Sequence, residues 1–114
     1  MGYDGGNYNQ DIIDALSGIA DATAVTEYNI TCTLADTEYS QALPANTKAF
    51  VFQNREYNPF RWSFTTGKVA TPTAPYNQAK IGQTISGTDV DLSSKTLYFA
   101  SSSAGDVIEL TVWT

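Results

Sequence analysis

The chain of 114 residues has no histidine, a single cysteine and only six basic residues. Without histidine, Ser-His and Cys-His nucleophilic arrangements and His-ligated metal sites are excluded. With Cys32 alone, no intrachain disulfide can form. Small secreted domains commonly lean on disulfides, so assembly inside the cell is the expectation. No stretch of 18 or more apolar residues occurs, and no membrane-spanning helix is expected. The first residues place no basic leader before an apolar run, so no secretory signal is expected either. A glycine-rich phosphate cradle is also missing, because Gly2, Gly5 and Gly6 precede any strand.

Basic residues are absent from the whole of residues 1–40, which carry seven acids: Asp4, Asp11, Asp14, Asp21, Glu27, Asp36 and Glu38. Residues 41–114 hold six bases and five acids, and the chain totals −6. An acidic end on a near-neutral body repels phosphate backbones, which argues against nucleic acid as a partner. Two expectations stand side by side: a basic partner surface, within the reach of about 8–10 Å that physiological salt allows, or acids that serve only to keep the chain soluble.

What is present points to β structure. Thr, Ser, Tyr, Val and Phe outnumber the good helix formers. One domain is expected at this length. Residues 1–10 contain three glycines and two tyrosines, an arm that is costly to order alone but has aromatic surface to bury on a neighbour. Residues 11–24 are the single helical candidate, with Ile12, Leu16, Ile19 and Thr23 at helical steps and Gly18 weakening the middle. Such a helix is marginal in water and needs its apolar stripe covered.

From Val25 the period becomes two. Tyr28, Ile30, Cys32 and Leu34 alternate with polar residues, and Tyr39 to Leu43 forms a second short strand. Phe50 and Phe52 share one face of a strand, as do Phe60, Trp62 and Phe64 of the next, a face that reads as core. The stretch from Thr71 to Tyr76 is a loop with two prolines. Ala79 to Ile85, Val90 to Leu92, Leu97 to Phe99 and a final strand with Ile108, Leu110 and Val112 facing inward complete the pattern. Seven or eight short strands with regular turns predict an all-β fold, an antiparallel β-sandwich or jelly roll over residues 25–114. Residues 1–24 precede it as an arm plus short helix.

Chemistry has few candidates. Cys32 lies on the apolar face of its strand, where thiols are inert packing. Asp89 with Asp91, and Asp106 with Glu109, are the carboxylate pairs to test against a glycosidase dyad, and both sit at turns where solvated acids are ordinary. The Asp89–Asp91 spacing falls short of a calcium loop. Neither an enzyme nor a cofactor is expected. Tyr57, Tyr76 and Tyr98 are the aromatic side chains best placed to stack on a sugar.

The stretches Thr37 to Pro44, Lys48 to Gln53, Phe64 to Val69, Thr96 to Ser101 and Val107 to Trp113 follow a familiar order. Together they resemble the small virion-associated proteins of tailed bacteriophages: capsid cement or decoration, head-fibre and head–tail accessory β-domains. The resemblance covers about two-thirds of the chain, in strand order and phrasing, with no signature motif. It implies a non-enzymatic structural protein of the virion, assembled in the host cytoplasm. It also implies a homotrimer that binds the major capsid protein or another virion protein. Residues 1–36 fall outside the resemblance. The arm and helix are then the expected grip on a neighbour, through Tyr3, Tyr8, Ile12, Leu16 and Ile19. The competing expectation is a carbohydrate- or receptor-binding β-module of a phage tail or cell-wall enzyme.

Overall fold

A computed structural model of the chain describes residues 22–88 and 91–114. Tyr3, Tyr8, Ile12, Leu16 and Ile19 lie outside the described residues, as does nearly all of the expected helix. Its last three positions, Ala22 to Ala24, are not helical. Thr23 and Ala24 instead donate backbone hydrogen bonds to the Thr114 carbonyl, and Thr114 returns one to Ala24.

The described residues form eight strands: β1 (Val25–Cys32), β2 (Tyr39–Ala42), β3 (Ala49–Asn54), β4 (Phe60–Ser63), β5 (Asn77–Ala79), β6 (Ile85–Gly87), β7 (Thr96–Ser101) and β8 (Asp106–Trp113). They form two four-stranded sheets, ordered β1-β8-β3-β6 and β2-β7-β4-β5, with every pairing antiparallel. β1, β3 and β6 belong to the first sheet and β2, β4 and β5 to the second, and β7 and β8 return to fill the second place in the second and first sheets. This is the eight-stranded jelly roll, two sheets wound as Greek keys.

Alternation places the core. On β8, Ile108, Leu110 and Val112 are buried while Val107, Glu109, Thr111 and Trp113 are half-buried on the other face. Phe52 is fully buried against Phe60 and Trp62, with ring centroids 5.9 and 5.2 Å away, and Phe50 stacks beside it. Leu97 and Phe99 of β7 join Phe60 and Trp62 in the second sheet's share of the core, and Cys32 closes the β1 end. Fully burying side chains of this size contributes about 1.5–3 kcal/mol each before entropy is counted.

Five details depart from the sequence pattern. At the expected Val90 to Leu92 strand, Asp91 and Leu92 belong to no strand, and Val90 lies outside the described residues. Ala79 and Ile85 do not share a strand: β5 ends at Ala79, a turn leaves Ile81 largely exposed, and β6 opens in the opposite sheet. Leu34 lies beyond the end of β1 and is exposed, as is Phe64 beyond β4. Trp62 points inward as expected but is only half-buried. Arg61 and Ser63, the polar positions of β4, are buried. The segment after β4 folds back over them, with the Val69 and Pro75 carbonyls taking bonds from Arg61 and Ser63. Period two marks two faces of a strand, but it cannot tell water from a covering loop.

Candidate functional site

Three polar arrangements rise above ordinary turn chemistry. The first closes one end of the sandwich around Asp106, which is 3% exposed. Its carboxylate accepts hydrogen bonds from Asn54 Nδ2 (2.8 Å), Asn58 Nδ2 (3.1 and 3.2 Å) and Ser101 Oγ (2.7 Å). Asn54 Oδ1 accepts from the Glu56 amide, and Glu56 Oε1 accepts from the Val107 amide. The cluster therefore ties the β3–β4 loop to the β7–β8 turn. Cys32 sits beside it with its thiol pushed up to about 11, first by burial and then by the Asp106 charge. A thiol held neutral in this way is not a nucleophile at ordinary pH.

The second arrangement is Arg61, buried on the outer face of the second sheet. Its Nε donates to the Val69 carbonyl at 2.6 Å, and Nη2 reaches Asp36 Oδ1 at 2.9 Å. The planar fork thereby pins the covering loop to the β1–β2 turn. Both arrangements spend their donors and acceptors internally. Among the described residues, no buried side-chain polar atom lacks a partner.

The third is open to solvent. Opposed residues on neighbouring antiparallel strands face the same way, so the register of the first sheet builds an outer surface in rows. Glu27, Thr111 and Val51 form one row, and Asn29, Glu109 and Gln53 form the next. They line a shallow depression of about 270 Å³. Glu109 accepts from Gln53 Nε2 at 3.1 Å and from Arg55 Nε at 2.8 Å. These bonds, Gln53 first, hold its carboxyl below the usual range. Carboxylates, amides and a hydroxyl make this a surface suited to hydrogen-bonding, and the two acids favour a cationic or donor-rich contact.

The sequence candidates are not brought together. Asp106 and Glu109 sit on opposite faces of β8, which rules them out as a facing dyad. Asp91 is exposed, and hydrogen bonds from Ser93 hold its carboxyl below its ordinary value. Asp89 lies outside the described residues. Among the described residues, no three potential ligands gather as a metal site, and no helix is long and apolar enough to cross a membrane. Tyr57 is 70% exposed at the tip of the β3–β4 loop, with a left-handed backbone (φ 65°) that an aromatic residue seldom adopts. Tyr76 is exposed at the start of β5 and Tyr98 is half-buried on β7, so the three tyrosines do not share one strand or loop.

The strand order defines the chain as an all-β jelly roll, and comparison with known proteins adds little to that class. No protein family matches the sequence, and no curated protein does. Among solved structures it is similar to a de novo designed double-stranded β-helix determined by solution NMR. The two share 11% identity, the match covers 81% of this chain and 100% of the designed one, and the TM-score is 0.48.

Proposed function

We propose that this chain is a structural virion protein, a cement or decoration module that binds and stabilises a phage capsid surface without catalysis. The observation that carries the reading is the junction at residues 22–24. Thr23 and Ala24 are clamped to Thr114 by three backbone bonds of 2.6–3.1 Å, so residues 1–21 join the jelly roll at a fixed point beside the end of β8. A rigid body joined to an acidic segment carrying Tyr3, Tyr8, Ile12, Leu16 and Ile19 suits attachment to a neighbouring subunit. The internal use of Asp106 and Arg61 supports a scaffold role for the buried polar groups. The resemblance in residues 37–114 supplies the capsid as the partner.

The test uses tailed particles purified from cells that carry the gene. The full chain should co-sediment with them, and a variant lacking residues 1–21 should stay in the supernatant while keeping its β-sheet circular dichroism. Equal binding by both would remove the proposed role of the segment. Particles that never contain the chain would reject the virion reading as a whole.

A carbohydrate- or receptor-binding module is the second reading, favoured by Tyr57. A strained backbone persists only where its surroundings over-determine it, and such positions cluster at binding sites. Glycan-array binding that is lost in Tyr57→Ala would favour this alternative.

A further inference from the structure

Among the described residues each sheet has two edges, β1 and β6 in the first and β2 and β5 in the second. Three of these strands are short, at four, three and three residues for β2, β5 and β6. β1 has eight residues, Val-Thr-Glu-Tyr-Asn-Ile-Thr-Cys, with no proline, glycine or lysine. It pairs with β8 through eight consecutive partners without a bulge. Folds that avoid edge-to-edge contact shorten, charge or kink their edges, and a long regular one is a template for another strand.

The phase of the ladder identifies the open groups. Ala24 and Thr114 exchange both backbone hydrogen bonds. Antiparallel bonding alternates, so Thr26, Tyr28 and Ile30 direct their amides and carbonyls toward β8. Val25, Glu27, Asn29 and Thr31 direct theirs away from the sheet, and all four residues are exposed. On the inward face Tyr28 and Ile30 are only partly buried, as is Tyr39 of β2, which leaves the seam between the two sheets apolar and half covered.

We propose that a second copy of this chain occupies this edge, the two β1 strands pairing antiparallel about a two-fold axis at Tyr28. The strand is self-complementary in that register. Val25 lies opposite the partner's Thr31, and Glu27 lies opposite the partner's Asn29, each contact made twice. All four outward-bonding residues find partners among themselves, and the carboxylate meets an amide. A register centred on Glu27 sets two carboxylates face to face, at a cost. One centred on Asn29 carries Val25 past the end of β1. The Tyr28 register also keeps inner faces with inner faces, joining two four-stranded sheets into one of eight strands while covering Tyr28 and Ile30. An isologous contact of this kind closes at two copies.

Sedimentation velocity over a concentration series of the full chain should show a monomer–dimer equilibrium. Asn29→Pro removes an amide that points away from β8, so the fold should persist by circular dichroism while self-association weakens about a hundredfold or more. Asn29→Glu opposes like charges twice and should weaken the dimer about tenfold. Adding Glu27→Lys to Asn29→Glu should restore it. The charge variants decide the matter if the proline variant does not fold. A chain that stays monomeric, or a dimer or three-fold assembly that all these substitutions leave unchanged, overturns the proposal.

Discussion

Asp106 accepts from Asn54, Asn58 and Ser101 at one closed end of the sandwich, so its loss strands buried donors with nothing to bond. Asp106→Ala should destabilise the fold by about 3 kcal/mol in urea denaturation, since an orphaned buried polar group costs more than a bond contributes. Asp106→Asn keeps the shape but turns an amide toward three donors, and should cost about half as much. Cys32 reports the same neighbourhood through pH. Its thiol is raised from 9.0 to about 11, so the folded state holds the proton more tightly than the unfolded chain. The stabilisation is therefore complete below pH 9 and is lost as pH climbs through 11, by roughly 2–3 kcal/mol. Stability measured across that window should fall more steeply for the parent than for Cys32→Ala, in which the other titrating groups remain. The burial of Cys32 was legible from its place in the Tyr28–Ile30–Cys32 alternation. Asp106 was not, because an acid beside a turn reads as solvated until distant strands bring Asn54 and Ser101 to it.

At the scale of the strand, β6 pairs with β3 so that Gly87 lies opposite Phe50. A β-carbon on Gly87 would stand 2.7 Å from a Phe50 ring atom, and Phe50 is itself buried. Gly87→Ala should cost about 1–2 kcal/mol by overpacking, and a simultaneous Phe50→Leu should recover part of it. β8 is the opposite case, legible almost residue by residue, because it is central in its sheet and its two faces meet different surroundings throughout. β4 shows where such legibility ends. Phe60 faces the core as its period demands, yet Arg61 is buried by a loop that begins several residues later in the chain. Similarly, Ala79 and Ile85 share the parity of a single strand. The turn at Gly82, with its left-handed backbone, carries the chain from one sheet to the other.

For the molecule as a whole, the expected two-layered antiparallel body is what the chain forms, and its strand order narrows that to the jelly roll. A jelly roll hosts capsid, lectin and enzyme sites alike, so the fold by itself selects no function. The virion reading stands on the junction at Thr114 and on the resemblance; pairing of two copies through β1 departs from the homotrimer that the resemblance implies and leaves the junction untouched. Cryo-electron microscopy of intact tailed particles from cells that carry the gene reaches that reading most directly. The expected result is jelly-roll density on the capsid surface, with the Thr114 end toward the shell and connected density there for the leading residues. Particles fully resolved in head, tail and fibres with no place for this chain would contradict it.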